Sequence, residues 1–342
     1  MRRYKPEDLR HDMEEVLTKL GTPEEDAKVV SDALLRAEMR GFGSHGILRF
    51  SKLIRSIERG FQKTKTSITT ERETANSALI NGNSGLGIVV AKKAMELAIE
   101  KASSNGIAAI GVHNTNHFGM AGYYAEMAAR RDMIGIVMCN TEPAMAPFGG
   151  ETPILGTNPV SVAIPTKKHP VLLDTATTNI AKGKILKAKK EKKLLPDDCA
   201  LDREGNPTIN PETVFRLLPL GGKNFGYKGY GLSFVIDILC GPLVNAESGK
   251  DVKGTVTLEK CTKGDLFIVI NPSIFTDIDL FKSKVDHLIQ DVKNDGAMFP
   301  GEIEEIKEEQ NKDGIEIHDE IYNEFKEVVE NQIDVKIEID RI

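Results

Sequence analysis

The spacing of apolar residues changes twice along the chain, and this change most restricts the fold. Near the amino terminus apolar residues recur at helical spacing, as at Ala27, Val30 and Leu34, and helical spacing returns from Ile274 onward. Between these ends, short apolar segments bounded by turn residues, such as 77–81, alternate with helical patterns. We therefore expect an α+β fold in which helices from both termini flank a central mixed α/β body.

The same change in spacing suggests where the domains begin and end. We expect residues 1–65 to form the first part of a helical domain, residues 66–275 to form the mixed α/β domain, and residues 276–342 to complete the helical domain. A chain of 342 residues is long enough for two domains.

Composition and charge argue against several classes of protein. Hydrophobic residues make up 40% and charged residues 28%, with a net charge of −6, which is typical of a globular protein and gives no support for nucleic-acid binding. The Lys-rich segment 182–193 is best interpreted as a solvated helix face. Residues 1–12 lack the apolar run of a signal peptide, and no apolar stretch is long enough to span a bilayer, so we expect a cytoplasmic protein that binds no membrane.

The cysteines and histidines give no metal-binding pattern. The cysteines are far apart and none forms a C-x-x-C motif: Cys139, Cys199, Cys240 and Cys261. His113 and His117 are four residues apart, but Asn-Thr-Asn lies between them and no H-E-x-x-H occurs. We expect reduced, packed thiols and no metal site.

One glycine cluster has the wrong spacing for a Rossmann fold. Gly82, Gly85 and Gly87 lie between a predicted strand and a predicted helix, but as G-x-x-G-x-G rather than G-x-G-x-x-G. The next predicted strand ends at His113 without the acidic residue that reads a ribose. The residues alone therefore do not indicate a dinucleotide loop here.

Two other segments carry side chains suited to acid–base chemistry. Glycines surround Ser44 and His45 between two predicted helices, and Arg49 follows in the first turn of the second helix. A histidine exchanges protons near neutral pH, and a guanidinium pairs with carboxylates through two parallel hydrogen bonds. His117 follows a predicted strand, a position that often carries catalytic groups. The first segment is equally well explained as a helix–helix turn with an exposed histidine, and the alternative for the second is an Asx-rich turn.

Several glycine-rich or hydroxyl-rich turns could approach a phosphate. Residues 155–159 and 174–178 lie beside predicted strands, and Lys228 stands in a segment dense in glycine. Backbone N–H groups and a nearby lysine are the usual partners of phosphate groups.

Taken in order, these segments resemble the type 2 malate/L-lactate dehydrogenase family, and within it the archaeal sulfolactate branch. The matching segments cover most of the chain: Ser44-His45-Gly46 with Arg49, 116–119, 147–150, 155–159, 174–184, 200–202, 228–232 and 300–302. No single segment is specific, but the ordered set is.

The resemblance implies a fold, an activity and an assembly. The fold would be α+β, with a helical domain built from both termini and a mixed α/β cofactor-binding domain that is not a Rossmann fold. The activity would be reduction of a small 2-oxo acid, such as sulfopyruvate or oxaloacetate, to the 2-hydroxy acid with NADH, NADPH being the alternative donor. The chain would form a homodimer.

The resemblance also implies which residues form the site. The catalytic group would be His45, His117, Ser44 and Arg49. Either His45 or His117 would exchange the proton, with His45 slightly favoured, and Arg49 would hold the substrate carboxylate. The cofactor would be lined by Asn140, Thr157, Asn158, Asp174, Thr175, Ala176, Lys228, Gly301 and Glu302.

The sequence departs from the family pattern in places and leaves two rival functions open. Leu53 replaces a common tyrosine, residues 223–226 are inserted before Tyr227, and Cys199 stands where tryptophan is common. One rival is an imine reductase of the same fold that acts on a cyclic imino acid. The other is a nucleotide-binding module without catalytic activity, which would not need the proton donor that His45 offers.

Overall fold

The computed structural model describes residues 2–333, so the end of the predicted segment 276–342 lies outside the described residues. Apart from short 3-10 turns, its helices are α1 (Pro6–Lys19), α2 (Glu24–Met39), α3 (Ile47–Glu58), α4 (Gly87–Asn105), α5 (Ala121–Ala129), α6 (Lys182–Glu191), α7 (Gly222–Phe225), α8 (Tyr227–Cys240), α9 (Ile278–Asn294), α10 (Glu302–Gln310) and α11 (Asp319–Ile333). Its strands are β1 (Arg2–Tyr4), β2 (Thr69–Glu73), β3 (Ser77–Asn81), β4 (Ile107–His113), β5 (Ile134–Cys139), β6 (Val160–Ile164), β7 (Val171–Thr175), β8 (Ala200–Leu201), β9 (Arg216–Leu217), β10 (Asp265–Ile270) and β11 (Ile315–Ile317).

A seven-stranded mixed sheet forms the centre of the described chain. Its strand order is β2-β3-β4-β10-β5-β6-β7. Strands β3 and β4 pair in parallel, whereas β4, β10, β5, β6 and β7 pair antiparallel to one another. The sheet is therefore not the parallel, doubly wound sheet of a Rossmann domain.

The two faces of the sheet are covered by different helices. Side chains alternate between faces along a strand. On one face Val137 and Phe267 pack with α4 and α5. On the other, Met138 and Leu266 pack with Ile236 of α8. The apolar residues 234–239 therefore lie within a helix.

Helices from the two ends of the chain share a second core. Leu9 of α1, Leu34 of α2, Phe50 of α3 and Phe325 of α11 belong to one buried cluster. Strand β1 also pairs with β11, 311 residues away between Tyr4 and Ile315. The amino-terminal and carboxyl-terminal segments therefore fold as one unit beside the sheet.

Two features of the terminal helices were not anticipated. Pro23 occupies the N-cap position of α2, and the hydroxyl of the preceding Thr22 is buried without a hydrogen-bond partner. Helix α9 has a strongly amphipathic sequence, yet no residue of α9 is buried.

Within the described range, no helix is both long and apolar enough to cross a membrane.

Candidate active site

The turn between α2 and α3 holds Ser44, His45 and Arg49 at the junction of the helical unit and the sheet. Gly46 permits this turn, because a Cβ atom there would overlap the carboxylate of Glu38. Glu38 is buried and accepts a hydrogen bond from the Ile47 backbone N–H at 2.8 Å, so it caps the start of α3. Glu38 therefore holds the turn in place, and the side chains of His45 and Arg49 have defined positions.

His117 lies in the loop that follows β4. The amide of Asn116 donates to the Gly85 carbonyl at 2.8 Å, and a Cβ atom on Gly87 would overlap the Asn116 carbonyl. The glycine cluster at residues 82–87 therefore allows this loop to pack directly on the first turn of α4.

These segments surround a cavity of about 60 Å³. His45, His117 and Arg49 all face it, and the imidazole rings of the two histidines lie 5.8 Å apart, centroid to centroid, with planes inclined by 25°. The cavity is completed by two further residues of the His117 loop and by residues from other parts of the chain: Phe118, Gly119, Cys139, Thr141, Glu142, Thr157, Pro159, Ala181, Lys182, Gly183, Thr255, Val256 and Lys263. We refer to it below as the histidine cavity.

The two histidines differ in their hydrogen bonds. The Gly119 backbone N–H donates to Nδ1 of His117 at 3.1 Å, so Nδ1 is an acceptor and the neutral ring carries its proton on Nε2. Nδ1 of His45 lies 3.0 Å from the Ser44 hydroxyl, which can either donate or accept. His45 can therefore keep its hydrogen bond when it gains or loses a proton, whereas protonation of Nδ1 in His117 would break its bond to Gly119.

Arg49 is held by backbone carbonyls rather than by a carboxylate. Its Nε donates to the Ser44 carbonyl at 2.9 Å, and Nη1 donates to the Thr255 carbonyl at 3.2 Å. Nη2 has no recorded partner within the described chain, which leaves part of the guanidinium for an anionic ligand.

Glu142 organises the segment 254–257 on the opposite wall. Its carboxylate accepts hydrogen bonds from the backbone N–H groups of Gly254, Val256 and Thr257 and from the hydroxyls of Thr255 and Thr257. Burial would raise the pKa of Glu142, but these hydrogen bonds outweigh it and lower the pKa below its ordinary value. Glu142 therefore stays ionised and holds the carbonyl that Arg49 contacts.

Burial and nearby cations keep both histidines neutral in the unliganded protein. Burial, together with Arg49 and Lys184, lowers the pKa of His45 to about 3. Burial and the same Arg49 also place the pKa of His117 well below its ordinary value. A bound anion would offset the effect of these cations.

Lys263 is a buried cation behind His117. Its side chain is 1% exposed, forms an ion pair with Asp265 and lies 4.4 Å above the ring of Phe118. Burial alone would lower the pKa of Lys263, but the carboxylate of Asp265 raises it above the ordinary value. The pair therefore places a charged ammonium at the wall of the histidine cavity with its charge already balanced.

A second cavity of about 180 Å³ adjoins the first and is roomier. Both cavities share His45, Gly119, Thr157, Pro159 and Ala181. The remaining lining residues come from the α2–α3 turn, the start of α5, the end of β7, the segment after it and the first turn of α6: Phe42, Ser44, Met120, Ala121, Asp174, Thr175, Ala176, Thr178, Asn179, Ile180 and Lys184. We refer to it below as the β7 cavity.

Asp174 is the acidic group of the β7 cavity. Its carboxylate accepts a hydrogen bond from the Gly122 backbone N–H at 2.8 Å. Burial raises the pKa of Asp174 to about 7, so the carboxyl is partly protonated near neutral pH and can both donate and accept.

The structure brings most, but not all, of the predicted site residues together. Asn140 and Asn158 are buried and use their amides to hold the backbone. Asn140 bonds the backbone of Glu247 and Gly264, and Asn158 accepts from the Thr141 N–H at 2.9 Å. Neither amide faces a cavity, so in this chain they position neighbours of the site rather than line it.

The other three predicted cofactor residues lie away from both cavities. Lys228 is exposed in the first turn of α8, with its ammonium 5.7 Å from the ring of Phe225. Gly301 packs against Leu172 of β7, and the carboxylate of Glu302 pairs with Lys293 at 2.5 Å. Within one chain, none of the three contacts the histidine cavity or the β7 cavity.

Three charged residues of the histidine cavity were missed from the sequence: Glu142, Lys182 and Lys263. The interpretation of residues 182–193 as a solvated helix face is wrong for Lys182, which is the first residue of α6 and lines the histidine cavity. The position of Lys182 directly after an apolar turn was the available signal. Glu142 and Lys263 gave no such signal. The partners of Glu142 lie more than 100 residues away, and the partner of Lys263, Asp265, is the buried first residue of β10.

Comparisons with known proteins give a consistent result. A family model described as malate/L-lactate dehydrogenase matches residues 4–326. The chain is similar to the malate/(S)-sulfolactate dehydrogenase of Methanothermus fervidus, with 46% identity over 95% of this chain and 96% of that protein. Among solved structures, the sulfolactate dehydrogenase of Methanocaldococcus jannaschii has a TM-score of 0.88 and 46% identity, covering 96% of this chain and 97% of the other. Malate dehydrogenase from Pyrococcus horikoshii has a TM-score of 0.89 and 38% identity, covering 99% and 97%. The predicted fold class is thereby confirmed.

Proposed function

The chain belongs to the malate/L-lactate dehydrogenase family, and on this basis we propose that it reduces a small 2-oxo acid, such as sulfopyruvate or oxaloacetate, to the 2-hydroxy acid with a nicotinamide cofactor. The observation that carries the proposal is the junction of the two cavities. Two imidazoles and a partly free guanidinium face one cavity, and His45 also faces the roomier one beside it. A carboxylate-bearing substrate and a cofactor can therefore meet at His45.

We assign the nicotinamide end of the cofactor to the β7 cavity. Asp174 offers a carboxyl that can donate and accept, and the hydroxyls of Thr175 and Thr178 and the ammonium of Lys184 line the same space. Such a cofactor supplies the hydride when it is bound. No acidic residue stands where a Rossmann domain selects NAD over NADP, so the assignment of NADH rests on the family.

Arg49 is the group that we assign to the substrate carboxylate. Its Nε and Nη1 are anchored, so the guanidinium is presented to the cavity with little remaining freedom. Two parallel hydrogen bonds to a carboxylate orient the neighbouring 2-oxo carbon.

His45 is the group that we assign to proton transfer. Reduction turns a carbonyl oxygen into a hydroxyl. Binding of the anionic substrate offsets the nearby cations, so that His45 takes up a proton from solvent; the imidazolium then donates this proton from Nε2 to the oxygen and returns to the neutral ring. The Ser44 hydroxyl accepts from Nδ1–H before and after the transfer, so the ring does not need to turn. His117, whose Nδ1 is committed to Gly119, stays neutral and donates from Nε2 to polarise the carbonyl.

The charge of the histidine cavity supports a substrate with two anionic groups over a cyclic imino acid, which carries a single carboxylate. The family relatives named above are dehydrogenases of hydroxy acids, and Arg49 and Lys182 both lack a carboxylate within ion-pair distance in the described chain. A binding module without catalysis would not require two histidines held in different hydrogen-bonding arrangements.

The proposal includes a homodimer, and two exposed apolar surfaces support it. Phe234, Val235 and Ile238 of α8 are 48%, 51% and 45% exposed, and they lie on one helix with Leu243 exposed beyond it. Helix α9 has an apolar stripe but no buried residue. Sedimentation that shows an active monomer at assay concentration would contradict the dimer.

The decisive experiment is a panel of 2-oxo acids assayed with NADH and with NADPH. We expect turnover of oxaloacetate or sulfopyruvate with at least one cofactor, followed as loss of absorbance of the reduced nicotinamide. Turnover of a cyclic imino acid without turnover of any 2-oxo acid would support the imine reductase instead. Cofactor binding without turnover of either class would support the binding module.

A further inference from the structure

The cations of the histidine cavity differ in whether a carboxylate neutralises them. Lys263 is paired with Asp265, whereas Lys182 has no carboxylate within ion-pair distance among the described residues. The Lys182 ammonium donates to the Pro143 carbonyl at 3.2 Å, which is its recorded hydrogen bond. Glu142 is near enough to attract Lys182, but its carboxylate oxygens are already occupied by the segment 254–257.

The charge of the histidine cavity, counted together with Lys52 beside it, exceeds what one substrate carboxylate balances. Arg49, Lys182 and Lys263 face two carboxylates, those of Glu142 and Asp265. Lys52, behind Arg49 in an adjoining cavity, adds a fourth cation whose ammonium donates to the Gly254 carbonyl at 3.2 Å. With both histidines neutral, the histidine cavity itself has an excess of one positive charge, and Lys52 beside Arg49 raises the excess around the ligand to two.

The start of α6 adds to this excess at Lys182. Lys182 is the first residue of the helix, and Ala181 and Gly183 on either side also line the cavity. The N-cap residue Ala181 offers no side-chain acceptor, so the first N–H groups of the helix carry uncompensated partial positive charge. A Cβ atom on Gly183 would lie 2.6 Å from the Ser44 Cβ, so this helix end is seated directly against the turn that carries His45.

We propose that Lys182 binds a second anionic group of the substrate, while Arg49 binds the carboxylate next to the 2-oxo carbon. The substrate class is then short 2-oxo acids that carry a distal carboxylate or sulfonate, and Lys182 determines the preference for them over 2-oxo acids with an uncharged tail. The inference rests on the proposed function and adds the residue and the charge requirement.

Lys182 is a better candidate than the other lysines nearby. Lys263 is neutralised by Asp265, and Lys52 opens on a different cavity on the far side of Arg49 and His117. Burial, with a contribution from Arg49, lowers the pKa of Lys182, which is the cost that a neighbouring anion would remove.

The test compares oxaloacetate with 2-oxobutyrate in the wild type and in Lys182→Met. A hydrogen bond to a charged group contributes about 1.5–3 kcal/mol, which corresponds to roughly 10–150-fold in kcat/KM. We expect the Lys182→Met enzyme to lose about that factor for oxaloacetate and to change less than about threefold for 2-oxobutyrate. Lys182→Arg should restore part of the preference. Lys189→Met, on the same helix but paired with Glu212 at 3.2 Å, is the matched control and should leave the ratio unchanged.

Two outcomes overturn the inference while leaving the proposed function intact. One is an equal loss for both substrates in Lys182→Met, and the other is a selective loss for oxaloacetate in Lys52→Met but not in Lys182→Met. If the wild type reduces no 2-oxo acid, the proposed function fails. The role of Lys182 in binding a second anionic group is then tested by measuring the affinity for non-reacting acids. Calorimetry with succinate and butyrate should show a preference for succinate that Lys182→Met abolishes, and a preference that survives the substitution would contradict the role of Lys182.

Discussion

The imidazole rings of His45 and His117 lie face to face, 5.8 Å apart and inclined by 25°, although they come from different structural units. His45 belongs to the turn between two helices of the helical unit, and His117 belongs to a loop at the end of a sheet strand. The relation between them means that a substrate carbonyl can receive hydrogen bonds from two rings, of which only one is free to change its protonation.

This difference predicts unequal effects of removing the two rings. His45→Ala should lower kcat by roughly two to four orders of magnitude, because the proton donor is lost. His117→Asn keeps a hydrogen-bond donor and should lower kcat by about tenfold. The exposed His11 serves as a control, and His11→Ala should have no effect. Near-normal kcat in His45→Ala with collapse in His117→Asn would assign proton transfer to His117.

The low pKa of His45 predicts the pH dependence of the reverse reaction. Oxidation of a 2-hydroxy acid needs neutral His45, and burial, with Arg49 and Lys184, lowers its pKa to about 3 in the free enzyme. The neutral form therefore persists as the pH falls, and kcat/KM for oxidation should stay within about twofold between pH 8 and pH 5.5. A histidine with the ordinary pKa of about 6.5 would be roughly nine-tenths protonated at pH 5.5. A tenfold fall in initial rates over this range would show that the pKa is not lowered.

Arg49→Lys should damage activity more than the retained charge suggests. Lysine cannot form two parallel hydrogen bonds to a carboxylate, and it also loses the Nε bond to Ser44. We expect kcat/KM for oxaloacetate to fall by about 10²-fold, measured by initial rates. Arg55→Lys is the control, because Arg55 lies on the same helix and pairs with Glu324 at the surface. Wild-type kcat/KM in Arg49→Lys would remove Arg49 from the carboxylate site.

Glu142→Gln should weaken the wall of the histidine cavity that Arg49 contacts. An amide nitrogen would replace one oxygen that accepts from segment 254–257, so several backbone N–H groups would lose their acceptor. We expect a loss of about 3 kcal/mol in the free energy of unfolding, seen as a lower Tm, together with a higher KM. Glu259→Gln, an exposed change two residues beyond this segment, should alter neither quantity. An unchanged Tm and KM in Glu142→Gln would show that the segment does not depend on the carboxylate.

Much of the fold follows from residue patterns, because individual strands and helices are local. Strand β3 and helix α2 occur where apolar spacing predicts them. Helix α8 is apolar both on its face toward the sheet and on its exposed face, so apolar periodicity cannot distinguish it from a strand. The short strands β1 and β11 escaped prediction because their pairing joins opposite ends of the chain.

The candidate site is less predictable, because its residues meet only through tertiary packing. His45, Arg49 and His117 stood out through residue type and neighbouring glycines. Lys182 did not, because a lysine in a lysine-rich helix is usually solvated, and only the packing of Gly183 against Ser44 turns it inward. The predicted domain boundaries and the roles of Lys228, Gly301 and Glu302 stay predictions.

The position of β10 also governs the order in which the protein can be completed during synthesis. This strand lies between β4 and β5, which do not pair with each other, yet it is encoded more than 120 residues after β5. Until residue 270 has left the ribosome, the nascent sheet consists of two separate halves, each with an unpaired apolar edge. The histidine cavity is lined by residues from both halves and by residues between 255 and 263, so it cannot form before β10 pairs with β4 and β5. We therefore expect slow folding with long-range pairing as the limiting event, and a dependence on chaperones that shield those edges while translation proceeds.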